Sequence, residues 1–181
     1  MNNTYGDIFM SDYISLQKRL YAEDGGELLR YSITFPTLDG KQDETKKINE
    51  FYATVAKHCE SFCHGELLAF CKENRRGEGL YRPYSYRLDC TVSLEDGECV
   101  AVMLSASLKR LGESTLVGEY TAAQVFSKAD GLLLPPALIL KKYAPEIKNL
   151  KKYIRKNKLV SLCPTEQGVV TKKDGKWKLL T

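Results

Sequence analysis

From Tyr84 onward the chain alternates between apolar and polar residues. Tyr84, Tyr86, Leu88, Cys90, Val92 and Leu94 are apolar, and Ser85, Arg87, Asp89, Thr91, Ser93 and Glu95 between them are polar. That is the period-two pattern of a strand with one face in a core and the other in water. Asp96-Gly97 follows, a pair that tolerates the positive φ of a two-residue hairpin turn. Val100, Val102, Leu104, Ala106 and Leu108 resume the alternation. After a break at Leu111-Gly112-Glu113, the stretch Thr115 to Phe126 is rich in β-branched and aromatic residues. The pattern predicts a three-stranded antiparallel meander over Tyr84 to Ser127.

Before it, Leu16, Leu20 and Ala22 alternate weakly within Tyr13 to Glu23, and Leu29, Tyr31, Ile33 and Phe35 alternate more cleanly. Asp24-Gly25-Gly26 between them predicts a hairpin, and Pro36 is expected to end its second strand because it cannot donate to a ladder. After Leu38-Asp39-Gly40 the period changes. Ile48, Phe51, Tyr52, Val55, Cys59, Phe62, Cys63, Leu67, Phe70 and Cys71 recur at three- and four-residue steps. An amphipathic helix of roughly 30 residues, Asp43 to Lys72, is predicted, with one apolar stripe that needs a sheet to lie on. Glu73 to Pro83, with Gly77 and Gly79, reads as the loop back to the meander.

Beyond Ala129-Asp130-Gly131, Pro135-Pro136 is placed to open a helix over Ala137 to Tyr143, since a missing amide hydrogen costs little there. Pro145 interrupts, and a second helix is expected over Glu146 to Asn157, with Ile147, Leu150 and Ile154 inward. Gly168 to Thr171, a turn at Asp174-Gly175, and Trp177 to Leu180 predict a last hairpin.

The composition is ordinary for a globular chain: 181 residues, 43% apolar and 28% charged, enough for one domain over 1–181, with 159–181 as a small appendage at most. No run approaches the ~20 apolar residues of a membrane span. Met1 to Phe9 lacks the basic start and apolar middle of a secretory signal. As written the chain reads as cytoplasmic, and as extracytoplasmic if a leader has been removed from it. The six cysteines, at 59, 63, 71, 90, 99 and 163, form no CxxC pair and no regular framework, which suits reduced thiols, with one cross-strand bridge between Cys90 and Cys99 left open. Charge is uneven. Residues 141–181 hold 12 Lys and Arg against 3 Asp and Glu, a balance of +9, while the rest carries −5.

Candidate chemistry is sparse. His58, Cys59, Cys63, His64 and Cys71 are metal-ligating types, but on a helix the two histidines point in different directions while Cys59 and Cys63 share the apolar face with Val55 and Leu67. They read as core, and no metal or cofactor is expected. Arg75, Arg76, Gly77, Glu78, Gly79, Leu80, Tyr81 and Arg82 lack a phosphate-binding spacing and read as a surface loop. With two histidines, both on one helix, a Ser/His/Asp hydrolase is disfavoured. Glu95, Asp96 and Glu98 sit at a hairpin tip, where turn formation is their expected role. The basic segment Lys141 to Lys158 has only Tyr143 and Tyr153 as stacking aromatics; it reads first as a solvated helix face, and as a contact it favours an acidic protein partner over nucleic acid or membrane.

The order of elements adds a resemblance. The strand ending in TFPTLDG, the helix opening in KKINEFY, and YSYRLDCTVSLEDGECVAVMLSAS together resemble the bacterial family of RsiV-like domains, over roughly Leu29 to Lys156. These form the extracytoplasmic part of certain anti-sigma factors and are attached to some peptidoglycan deacetylases. The resemblance implies an α+β fold and, in the anti-sigma members, recognition of a protein ligand, lysozyme. Where the family carries a Gly-Gly-Ala-His-type turn, this chain reads Lys109-Arg110-Leu111-Gly112-Glu113-Ser114, so the fold carries over and no binding residue does.

The resulting expectation is an α+β domain. Its antiparallel sheet is covered on one face by the long helix, with the C-terminal helices at the side or edge and a final hairpin. Function is read as a non-catalytic binding or regulatory module for a protein partner. The contact would lie on the open sheet surface at Arg87, Asp89, Thr91 and Ser107, or on the basic helix at Lys148, Lys151, Lys152 and Arg155. The rival is an enzyme or small-ligand carrier with a pocket between helix and sheet lined by Tyr84, Tyr86 and Cys90. A third reading is nucleic-acid contact through the basic helix.

Overall fold

The first hairpin forms where the alternation places it. A computed structural model describes residues 12–75, 81–159, 161–173 and 176–180. In it β1 (Asp12–Tyr21) pairs antiparallel with β2 (Glu27–Thr37), and Gly25 takes the φ of +83° that the turn requires. Pro36 lies one residue inside β2 rather than after it. The ladder to β3 already ends at Thr34, so a missing amide hydrogen at Pro36 breaks nothing on that side.

The long helix runs as α1 (Asp43–Phe62), a π-helical stretch Cys63–Leu67, and α2 (Leu68–Arg75). Asp43 and Glu44 place carboxylates in its first turn, where they complement the helix dipole. The wider π turn re-phases the stripe. Ile48, Tyr52 and Ala56 before it, and Cys63, Leu67 and Cys71 from it onward, all reach the same core. Asn49 fixes the approach: its Oδ1 accepts from the Leu38 amide at 2.9 Å and its Nδ2 donates to the Leu38 carbonyl at 3.0 Å.

The meander is present as β3 (Tyr84–Glu95), β4 (Cys99–Arg110) and β5 (Leu116–Ser127). The sheet order is β1-β2-β3-β4-β5, and here the wholly antiparallel expectation is corrected. β2 and β3 pair in parallel, Leu29 opposite Tyr84 through Thr34 opposite Asp89. The cause is the helix between them, which carries the chain back along the sheet so that β3 starts from the same end as β2. The β3–β4 turn is also made differently. Gly97 has no positive φ, and the loop is held instead by Asp96 Oδ1, which accepts from the amides of Glu98 and Cys99, both at 2.8 Å.

The two faces of the sheet carry two cores. One joins Tyr31, Ile33, Tyr84, Leu88, Val102 and Phe126 to α1 and α2. The other joins Cys99, Ala101 and Val125 to Ile139, Leu140, Leu159, Leu162, Cys163 and Val169. The C-terminal part therefore lies over the opposite face, not at the side or edge as expected. It comprises α3 (Pro136–Tyr143), α4 (Leu150–Asn157), and a three-stranded sheet of β6 (Leu162–Thr165), β7 (Gly168–Lys173) and β8 (Lys176–Leu179). Cys99 to Leu104 is apolar at every position, the mark of a strand buried on both faces.

α4 begins at Leu150 rather than Glu146, after Asn149 at φ 57°. β6 has no counterpart in the alternation pattern. Cys90 faces Leu104 across the ladder and Cys99 faces Ser127, so the bridge between these cysteines does not form, and all six thiols are free. Most of the Arg75–Arg82 loop, the first residues Met1 to Phe9, and the Asp174-Gly175 turn lie outside the described residues. Among the described residues no helix is long and apolar enough to cross a membrane.

Candidate functional site

Because side chains alternate, the residues of β3 and β4 that do not enter the first core share the opposite face. Arg87 lies opposite Ser107, Asp89 opposite Ser105, and Thr91 opposite Met103. The structure therefore brings Arg87, Asp89, Thr91 and Ser107 together. The parallel neighbour widens the patch: Ser32 stands beside Arg87 and Thr34 beside Asp89. β1 continues the rows with Gln17 opposite Ser32 and Ser15 opposite Thr34, and β5 adds Glu119 opposite Ser107.

Within this hydroxyl-rich field the charged groups are oriented by each other. Arg87 Nε donates to Asp89 Oδ2 at 2.5 Å, with Arg87 the more exposed of the two. Arg30 Nε donates to Glu27 Oε1 at 2.7 Å. The C-terminal lobe covers only the part of this face nearest the β3–β4 turn, where Ser93 Oγ donates to Pro164 O at 3.1 Å and Ala101 is buried.

The basic residues form a separate group. Leu150, Tyr153 and Ile154 pack against the second core, which leaves Lys151, Lys152 and Arg155 exposed on the outer side of α4, and Lys148 exposed in the segment before it. None of the four makes an ion pair among the described residues. The arrangement is an unneutralised cationic surface rather than a set of structural salt bridges.

The pocket expected between helix and sheet is filled. Tyr84 and Cys90 are 2% and 1% exposed within the first core, and burial pushes the Cys90 thiol up to about 12. Tyr86 alone touches a groove, a shallow one of about 360 Å³ that opens toward β5. The histidine–cysteine group is dispersed in the way helical geometry demands. Cys63 and Cys71 are buried, His58 is exposed, and His64 Nε2 lies 3.0 Å from the Tyr31 hydroxyl. That hydroxyl also lies 3.0 Å from Glu60 Oε1, and Lys18 closes the cluster by pairing with Glu60. Among the described residues no group of three or more His, Cys, Asp or Glu gathers as a metal site.

Sequence reasoning missed a second concave feature. Asp96, Glu98, Lys128, Leu138, Lys141 and Lys142 line an open groove of about 960 Å³ at the base of the meander. Asp96 accepts from Tyr143 Oη at 2.7 Å and from Lys142 Nζ at 3.0 Å, and Lys142 also reaches Glu98 at 3.0 Å. Burial alone would raise the Asp96 carboxyl, but these donors and two backbone amides outweigh it and hold the group at about 2. Burial also raises Tyr143, and the Asp96 carboxylate adds to the effect. Every acceptor of Asp96 is thus engaged inside the chain, so the cluster ties the hairpin tip to α3. Its one sequence signal was the acidic tip itself.

In overall architecture the chain is similar to two solved structures, both described as DUF3298-family proteins. One, from Bacteroides fragilis, superposes with a TM-score of 0.50 at 10% identity, covering 91% of this chain and 83% of that one. The other, from Pseudomonas aeruginosa, gives 0.55 at 11% identity, covering 93% and 84%. At such identity the likeness is one of fold. No protein-family model matches the chain, and no curated protein matches it.

Proposed function

We propose that this chain is a non-catalytic binding or regulatory module that recognises a protein partner, similar to RsiV-like sensor domains. It works as one α+β domain, with Leu159, Leu162, Cys163 and Val169 buried in the second core. The observation that carries the reading is the half-uncovered polar face of the sheet. A sheet face of this width, with a mutually oriented Arg87–Asp89 pair among serine and threonine hydroxyls, is suited to the polar part of a protein interface. Lys148, Lys151, Lys152 and Arg155, which make no ion pair among the described residues, supply a cationic flank that speeds encounter with an acidic partner. The fold-level likeness to DUF3298 proteins is in keeping with the resemblance that suggested such a module.

The test is capture from a lysate of the source organism with the folded chain, beside chains carrying Arg87→Glu or the pair Lys151→Glu and Arg155→Glu. The expected result is a specific protein retained by the unaltered chain and lost by the variants. Equal retention by the double variant would remove α4 from the contact. Equal retention by all three would remove both surfaces.

A further inference from the structure

β5 is an edge strand, and its free side is covered along only part of its length. From Thr121 onward successive outward groups are taken. The Thr121 carbonyl accepts from Lys172 Nζ at 3.0 Å, and the Ala123 amide donates to Ser161 Oγ at 3.1 Å. The Val125 carbonyl accepts from the Leu134 amide at 2.7 Å, and the Ser127 amide donates to the Leu132 carbonyl at 2.9 Å. Over Leu116 to Tyr120 no described residue does this, and Leu116, Val117 and Tyr120 are 43%, 49% and 61% exposed. An open edge flanked by apolar side chains is a template for another strand.

Beside this stretch, on the side of the sheet that carries α1, lies the groove of about 360 Å³ lined by Phe62, Leu67, Tyr86, Leu108, Gly118 and Tyr120. Gly118 is the unexpected member, since glycine weakens a strand and usually marks a strained bend or a close approach. Its φ is not positive, and a Cβ there would meet nothing within 4 Å. The register shift beside it, between Leu108 and Lys109, therefore proceeds without left-handed backbone. Within the described chain nothing requires glycine at this position, and its effect is to leave a lane from the strand edge into the groove.

We propose that the open edge of β5 and this groove form a docking site for an extended peptide segment of a partner protein. The segment adds as a strand along Leu116 to Tyr120 and passes an apolar side chain over Gly118. Main-chain hydrogen bonds give such additions their affinity, and alternate side chains their specificity. The open length spans about 17 Å at the ~3.4 Å rise of a strand. Two such edges pairing with each other would bury well under the ~1,200 Å² of a stable interface, which argues for a peptide over a second copy. On the polar side of the sheet, Glu119 is exposed and makes no ion pair among the described residues, so the peptide residue facing it is basic. This site rests on the reading of the chain as a protein-binding module and adds a contact distinct from Arg87 and α4.

The test pans a phage-displayed library of random heptapeptides against the full chain, then measures synthetic copies of the enriched sequences on Gly118→Ala, Gly118→Val and Arg87→Glu variants. Enriched sequences are expected to alternate apolar residues with Lys or Arg. Affinity should fall stepwise through the alanine variant and at least about tenfold in the valine variant, with melting temperatures within about 4 °C of the unaltered chain and no change on Arg87→Glu. If the valine variant does not fold, the alanine variant carries the comparison. No enrichment of alternating sequences, or equal binding by the Gly118 variants, overturns the proposal. Peptides that ignore Gly118 but lose affinity on Arg87→Glu would overturn this site while upholding recognition by the polar face. A dimer in sedimentation that Gly118→Val converts to monomer would make a second copy the occupant and overturn the peptide assignment.

Discussion

Asp96 occupies the point where the β3–β4 turn, the start of β4 and α3 meet, and its bonds close the turn and tie it to both. Its carboxylate takes the amides of Glu98 and Cys99, the Tyr143 hydroxyl and the Lys142 ammonium. Replacing it with alanine takes that acceptor from the two amides and the Tyr143 hydroxyl, while Lys142 keeps Glu98, and a loss of about 1–3 kcal/mol in urea denaturation near neutral pH is expected. The acid limb adds a second readout. The folded-state carboxyl lies at about 2 against an ordinary 3.8, so the stabilisation is complete above the ordinary value and is lost as pH falls through the folded one. The unaltered chain should therefore lose stability between about pH 4 and pH 2 more steeply than Asp96→Ala. Parallel acid profiles for the two would mean that the latch contributes nothing. The sequence showed an acidic hairpin tip but not this role, because Lys142 and Tyr143 reach it from 46 and 47 positions away.

At the scale of elements, the junction between β2 and α1 decides how the sheet is assembled. Asn49 clamps both backbone groups of Leu38, setting the angle at which the helix leaves the strand. Asn49→Ala should cost about 1–3 kcal/mol, read as a lower urea midpoint. An unchanged midpoint would show that packing of Ile48 and Tyr52 sets the angle alone.

The helix itself was legible from its apolar steps and the meander from its alternation, since both periodicities follow directly from local geometry. The direction in which β3 joins β2 was not, since alternation is the same in parallel and antiparallel ladders. The placement of the C-terminal lobe was hidden for a related reason. Reading every second residue of Val100 to Leu108 captured the face under α1 and passed over Cys99 and Ala101, which carry the other core. Four-residue β6, with Pro164 inside it, offers too short a run for any period to register.

Across the whole molecule, one face of the main sheet is closed by α1 and α2, and the other is closed only near the β3–β4 turn. What remains is a polar field bordered by two edge strands. Arg87, Asp89 and Thr91 could be assigned to it from sequence, because a period of two puts them on the face away from Leu88 and Cys90. Ser32, Thr34 and Gln17 could not, because their neighbourhood depends on β2 lying beside β3. The basic flank was legible as charge, and its lack of ion pairs among the described residues emerged only once the elements were assembled.

The most direct test of partner recognition is isothermal titration of the captured protein against the unaltered chain, Arg87→Glu, and the pair Lys151→Glu with Arg155→Glu. A loss of affinity of about tenfold or more in Arg87→Glu is expected, together with a weaker, salt-sensitive loss in the double variant. Identical affinities for all three proteins would contradict the account.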